Sequence, residues 1–302
     1  MQEKILNIEN PMDYNTMMRT LEKLKERYSF IEILSIGTSI LGRELPLIRL
    51  GNGEKKVLYI GTHHSLEWIT SMLLLKFVEE YCILYKSNAR RFRHCIKSQS
   101  EKSSIFIVPM LNPDGVELVQ HGIGKENPLE ERLKRMSGGD FSKWQANARG
   151  VDLNHNYNAG WHDAKAMEQE YGILGPGSTR YCGEYPESEP EVQAVCSLCR
   201  AIDFNQAIAF HSQGQEIYWE YCGVEPSGAR AIGELYSRIS GYTLSSPTGI
   251  ASHGGFKDWF ISEFKKPAYT IEVGLGQNPL PLTDLDAIYK KIEEILFISP
   301  DF

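Results

Sequence analysis

Apolar residues recur along this chain in two rhythms. Short runs at Ile31–Ser35, Leu45–Leu50, Val57–Ile60, Ile105–Leu111, Ala207–Phe210, Ile217–Tyr221 and Ala268–Val273 read as strands. Longer stretches with apolar positions three and four apart, at Tyr14–Tyr28, Trp68–Tyr85, Glu189–Ile202, Pro226–Ser240, Gly255–Phe264 and Leu285–Ile298, read as helices. This alternation predicts an α/β fold: a three-layer sandwich whose mixed, mainly parallel sheet is flanked by helices. No internal repeat or low-complexity linker divides the 302 residues, so one domain over 1–302 is expected. Ligands of such sheets gather beyond the carboxyl ends of the strands, which directs attention to the residues just after each apolar run.

Composition narrows the function classes. With 42% hydrophobic and 24% charged residues the chain is that of an ordinary globular protein. A formal charge of −7, with no dense Lys/Arg run, speaks against nucleic acid as a partner. The most apolar stretch, Trp68–Tyr85, is interrupted by Lys76, Glu79 and Glu80, so no membrane span is expected. Six cysteines in a chain of this length form no disulfide framework and suit a reducing compartment. The amino-terminal MQEKILNIENPMDYN lacks the apolar core of a signal peptide, so the expected setting is the cytoplasm. No protein partner is indicated.

The candidate chemistry sits at strand exits. Val57–Ile60 runs into Gly61-Thr62-His63-His64-Ser65-Leu66-Glu67, where His64 and Glu67 are three residues apart on one short turn. Alone, the pair reads equally as a metal half-site or as a capping Glu beside a surface His. The exit of a second strand supplies His211, and two His with one Glu form a catalytic zinc set that leaves a position open for water. Asp152 is either the carboxylate that holds a ligating imidazole or a simple turn residue. Glu272 is the one carboxylate in the apolar run Ala268–Val273; it is either ion-paired or a general base beside an activated water.

These residues resemble the zinc carboxypeptidase superfamily. The likeness runs from Ser35-Ile36-Gly37 through Asn112-Pro113-Asp114-Gly115, Gly150-Val151-Asp152-Leu153-Asn154, His211-Ser212 and Gly254-Gly255 to Glu272. It implies a zinc metallopeptidase with one zinc held by His64, Glu67 and His211, Glu272 as general base and acid, and Arg149 as partner of the transition-state oxyanion. By the same resemblance Asn154 is an amide that binds substrate carboxylate. Two departures stand out. His155 occupies the place of the Arg that clamps a C-terminal carboxylate in digestive members, so a bidentate guanidinium is missing. Ile250 stands where many members place a Tyr.

The strings Gly150–Tyr157, Ser188-Glu189-Pro190-Glu191, His211–Trp219 and Ile271–Gly276 are more narrowly similar to bacterial γ-D-glutamyl-L-diamino-acid endopeptidases, which cut peptidoglycan stem peptides between γ-D-glutamate and meso-diaminopimelate. That substrate brings carboxylates in unusual places and calls for a different basic arrangement. Lys257, placed after Gly254-Gly255 where the superfamily sets leaving-group specificity, and His155 are the expected readers of diaminopimelate carboxylate; a solvated helix residue is the alternative for Lys257. With no wall-binding repeat in the sequence, the resemblance implies recycling of stem peptides inside the cell or action in a sporulation compartment. Rival functions are a carboxypeptidase acting on ordinary C-termini, an N-acyl amino acid deacylase, and a non-catalytic binding module. The stretch 122–146 is long for a connection and reads as either a substrate-framing lid or a surface excursion. Cys196 and Cys199, on one helical face, read as buried structural thiols.

Overall fold

A computed structural model describes residues 4–302 apart from 93, 247 and 248. The side chains of Ile250 and Ala251 also fall outside the described residues, and with them the departure noted at Ile250. The strands are β1 (Glu32–Thr38), β2 (Glu44–Leu50), β3 (Lys55–Gly61), β4 (Arg90–Arg91), β5 (His94–Cys95), β6 (Ser103–Val108), β7 (Gln206–His211), β8 (Glu216–Tyr218), β9 (Thr243–Ser245) and β10 (Ala268–Glu272). Eight of them form one sheet in the order β1-β2-β6-β3-β7-β10-β8-β9, while β4 and β5 make a small separate hairpin.

The centre of the sheet is parallel, through β6/β3, β3/β7 and β7/β10, and antiparallel pairs join β1, β2 and β8 to it. Alternation along the strands feeds two cores. Tyr59, Ile107, Ile208 and Ile271 face helices Tyr14–Arg27, Ile69–Lys86, Ala229–Ser240 and Leu285–Ile298. Leu58, Ile60, Val108, Ala207 and Ala209 face helices Pro190–Ala201 and Phe256–Phe264. With both faces covered, the central strands read as continuous apolar runs, which is why they were visible in the sequence. The expected mixed sandwich is the observed one. Cys196 and Cys199 lie buried in the second core, and burial pushes both thiols well up.

The crossover from β3 through helix Ile69–Lys86 leads to β6 on one side, whereas β7 enters on the other from helix Pro190–Ala201. The β3/β7 boundary is thus the point where connections diverge to opposite faces, and a crevice forms there beyond the strand ends. Elements absent from the sequence reading include helices Ile96–Lys102 and Trp161–Met167, the β4/β5 hairpin, edge strand β9, and helix Pro113–His121, started by the Asn112 side chain accepting from Gly115 N with Pro113 in the first turn. The stretch 122–146 contains helix Glu130–Ser137, and its Leu133, Phe141 and Trp144 form a small core with Leu118 of helix Pro113–His121. Ser65 ties it to the β3 exit through its backbone N to Gln145 O (3.2 Å) and its Oγ to Trp144 O (2.6 Å). Among the described residues no helix is long and apolar enough to cross a membrane.

A buried carboxyl makes this scaffold pH-sensitive. Glu191 is fully enclosed, accepting from Ile40 N (3.2 Å) and Asn147 Nδ2 (3.4 Å). Burial, aided by the charges of Asp114 and Glu189, pushes its carboxyl up to about 8. The folded chain then holds a proton that the unfolded chain releases above the ordinary value of 4.5, so stability falls as pH rises from 4.5 through about 8. Denaturant unfolding at pH 5 and pH 8.5 should show a loss on the order of a few kcal/mol, and Glu191→Gln should flatten it.

Candidate active site

The turn after β3 is fixed before any functional group enters it. Leu111 N donates to Gly61 O (3.1 Å), Asn112 N to Thr62 O (3.0 Å) and Asn112 Nδ2 to His63 O (3.1 Å), while Thr62 N donates to Thr70 Oγ1 (2.8 Å). Glu67 N closes back on His64 O at 3.1 Å, which brings the His64 and Glu67 side chains to one side. His64 Nδ1 lies 3.0 Å from Glu67 Oε1. His211, the last residue of β7, presents Nδ1 at 3.0 Å from Glu67 Oε2 and 3.3 Å from His64 Nδ1. Donor atoms of all three residues lie within 4.8 Å of one another, with Glu67 and His211 buried. His63 turns away to Tyr157 Oη (3.1 Å) and stacks on His211.

Asp152 sets the protonation pattern. Its Oδ1 accepts from His64 Nε2 at 3.0 Å, so the neutral ring keeps a lone pair on Nδ1, aimed at His211 and Glu67. Its Oδ2 accepts from Arg180 N (2.9 Å) and Thr179 Oγ1 (3.3 Å). Burial would raise the Asp152 carboxyl, but the His64 charge and these bonds outweigh it and hold it well below the usual range. Of its two sequence readings, the holder of an imidazole is the one observed.

Glu272 pairs in register with His211 on one side and with Glu216 on the other, so its carboxylate emerges beside the His/Glu/His group. Burial, together with the Glu67 charge, pushes its carboxyl well up. A cation among the three donors acts in the opposite direction.

The residues expected on the substrate side fall into two groups. Asn154 Oδ1 accepts from Phe256 N (3.0 Å), His155 Nδ1 donates to His253 O (3.1 Å), and Lys257 Nζ donates to Glu220 O (2.5 Å) and to Asp258. These three gather around the start of helix Phe256–Phe264. Gly254 permits the approach: its φ is +75° and a Cβ there would sit 2.5 Å from His155 O. Lys257 is 3% exposed, so the solvated-helix alternative is set aside. Arg149 stands apart from this group, its guanidinium 3.7 Å from Glu189 and 44% exposed.

The donor set fits a divalent cation. Two imidazole lone pairs and a carboxylate converge in a buried space already bordered by Asp152, an arrangement that calls for positive charge. The Glu67 and Asp152 carboxylates overcome burial and push the His64 imidazole well above its usual value, and the same two charges favour a cation among the donors.

Comparison with known proteins agrees with this geometry. Residues 17–295 match the zinc carboxypeptidase family, peptidase M14, and the chain belongs to that family; it is a zinc-dependent metallopeptidase, a hydrolase. Over 290 residues it is 34% identical to γ-D-glutamyl-L-diamino acid endopeptidase 1 of Lysinibacillus sphaericus, covering 95% of this chain and 72% of that one. It is 28% identical to human carboxypeptidase A6 over 269 residues, 82% of this chain and 56% of the relative. Among solved structures, thrombin-activatable fibrinolysis inhibitor shares the fold at a TM-score of 0.70 and 22% identity, covering 96% of this chain and 73% of that one. The murein-tripeptide amidase of Escherichia coli O157 does so at 0.54 and 21%, covering 87% and 90%.

Sequence reasoning missed several supports. Asn278 Nδ2 donates to Ser212 O (2.6 Å) and Glu67 Oε1 (3.4 Å), and nothing in a loop Asn before Pro279 signals that. The Thr179 hydroxyl and the Arg180 backbone N brace Asp152 equally silently. The alternation Glu216-Ile217-Tyr218 could have placed Glu216 beside Glu272, since both stand in strands with Ile as the next inward residue. Replacing Asp152 by Asn should loosen His64 and weaken zinc uptake about 10–100-fold in chelator competition, with the far-ultraviolet circular dichroism unchanged.

Proposed function

We propose that this chain hydrolyses the γ-D-glutamyl-meso-diaminopimelate bond of peptidoglycan stem peptides. The observation that carries this reading is the buried Lys257 beside Asp258, next to a His155 that lacks a guanidinium, in a chain 34% identical to an enzyme named for γ-D-glutamyl-L-diamino acid cleavage. A diaminopimelate leaving group ends in a carboxylate and an ammonium on one carbon. A buried cation and anion from consecutive residues form the complementary pair, and low polarity around them strengthens the match. Asn154 and His155, held at the start of the same helix, offer polar groups to the nearer carboxylate.

His64, Glu67 and His211 would hold one zinc ion, which when bound supplies Lewis acidity and lowers the pKa of water to about 7. Asp152 keeps the His64 ring oriented throughout. Glu272 takes a proton from the attacking water and returns it to the departing diaminopimelate nitrogen, so one carboxyl serves as base and then acid. Arg149 is the cation assigned to the charge that develops on the scissile carbonyl oxygen, a role that requires it to leave its pairing with Glu189; removing such a donor costs about 10²–10³ in rate.

Mass spectrometry after incubation of L-Ala-γ-D-Glu-meso-diaminopimelate with the zinc-loaded protein should show free diaminopimelate and L-Ala-D-Glu. An intact tripeptide together with cleavage of ordinary C-terminal peptides or acyl amino acids would replace the reading. Glu272→Gln should abolish turnover while zinc remains bound at one equivalent, measured by metal analysis; retained turnover would refute the role of Glu272.

A further inference from the structure

The chain leaves β3 through a strained turn. Thr62 has a φ of +53°, a left-handed conformation that a β-branched residue rarely adopts. Bonds hold it there: its N donates to Thr70 Oγ1 (2.8 Å), its O accepts from Asn112 N (3.0 Å), and its hydroxyl meets Ser71 Oγ (2.7 Å). Beyond that turn two successive imidazoles part. His64 joins Glu67 and Asp152, whereas His63 reaches Tyr157 Oη at 3.1 Å. His63 is fully enclosed, and its Nδ1 has no hydrogen-bond partner among the described residues. Burying a polar atom without a partner is costly, and an apolar pair at 63 and 157 would fill the same space without that cost. Packing alone therefore does not account for an imidazole at 63.

His211 shows a matching deficit. It turns Nδ1 toward Glu67 Oε2 and His64 Nδ1, and its Nε2 is buried with no partner among the described residues. A ligating imidazole ordinarily gives its other N–H to a carboxylate or carbonyl that fixes the ring, as His64 gives its own to Asp152. Against the face of His211 lies the face of His63, with ring centroids 5.1 Å apart and planes 24° from parallel, the spacing of an offset stack. His63 is itself pinned. Its Nε2 meets the Tyr157 hydroxyl, and the Tyr157 ring packs on Phe256 (5.5 Å) and Trp259 (5.8 Å) of helix Phe256–Phe264.

We propose that His63 is a positioning residue for His211: its face, anchored through Tyr157, fixes the plane of the one imidazole in the triad that no hydrogen bond orients from behind. This rests on the reading of His64, Glu67 and His211 as the zinc site and goes beyond it. Rotation of His211 about its Cβ–Cγ bond would swing the Nδ1 lone pair away from Glu67 and His64, and metal affinity depends on that lone pair staying aimed inward. A flat neighbour opposes the rotation only if it cannot rotate as well. The bond from Nε2 to Tyr157 supplies that restraint, which an apolar ring at 63 would lack. The two ligating imidazoles are thus held by different means, His64 edge-on by Asp152 and His211 face-on by His63.

Zinc affinity by chelator competition and the visible absorption spectrum of the cobalt(II)-loaded protein report ligand geometry without turnover. His63→Leu, which removes the flat face, should weaken zinc about tenfold or more and alter the cobalt spectrum. His63→Phe and Tyr157→Phe keep the face and lose the anchor, so each should weaken zinc by roughly threefold, between His63→Leu and the wild-type chain. Matching thermal midpoints of the metal-free proteins show that the variants fold. Zinc affinity and a cobalt spectrum that none of the folded variants changes overturn the positioning role, and the two Phe variants decide it if His63→Leu does not fold. His211→Ala should lose tight zinc binding. Loss there beside an unchanged His63→Leu overturns the role alone, whereas zinc retained by His211→Ala overturns the zinc site and the role together.

Discussion

The hydrogen bond from His64 Nε2 to Asp152 is the constraint on which the rest of the site depends. A neutral imidazole has one donor and one acceptor, and giving the donor to Asp152 leaves the acceptor facing inward. Across from it stand His211 Nδ1 and a Glu67 carboxylate, neither of which can supply a proton without losing its own role as a donor of electrons. Three lone-pair-bearing groups so close together repel one another in a space from which water is largely excluded, and a cation is what resolves the repulsion. The fold imposes the meeting by register: Gly61 lies beside Phe210, and His211 lies beside Glu272, across three parallel strands that end at one edge.

Segment 147–156 carries this constraint outward. Asn147 Oδ1 accepts from Arg149 N (3.0 Å) and Val151 N (3.1 Å), shaping the turn that presents Arg149. Asn154 caps the helix that carries Lys257, and Asn156 Nδ2 donates to Cys182 O (2.8 Å) and Ser188 Oγ (3.0 Å). Short polar side chains recur here because each satisfies backbone groups that no helix or sheet covers. One loop therefore sets the His64 tautomer, shapes the turn at Arg149 and caps the helix that carries Lys257, each through its own short polar side chains.

What could be read in the sequence was what local pattern determines. The apolar runs that became β3, β7 and β10 were legible because both faces of these strands are buried, and the ends of those runs pointed directly at His64, His211 and Glu272. Helix Pro113–His121 was not, because Asn112-Pro113-Asp114-Gly115 looks like a turn and becomes a helix start only once Asn112 is pinned by His63 and Ala146 carbonyls. Lys257 looked as much like a surface lysine as a buried one, since its burial comes from Tyr221 and Glu220, far away in the chain. The pairing of Arg149 with Glu189 likewise depends on tertiary contacts that spacing does not encode.

The exchange of a guanidinium for His155 shifts where discrimination is made. An arginine there would grip a terminal carboxylate through two charge-assisted bonds and fix cleavage at the last residue regardless of side chain. His155 has committed Nδ1 to His253 O, which leaves its other ring nitrogen. In the proposed reading the recognition falls to Lys257 and Asp258, where burial pushes the Asp258 carboxyl up in spite of its partner. A buried pair of this kind gains little by meeting a lone carboxylate, because one of its members must remain unmatched. It gains most from a group that answers both charges at once. On the proposed reading, selectivity therefore rests on the side chain of the leaving residue more than on its terminal carboxylate, the order of preference that cleavage between two parts of a branched peptide needs.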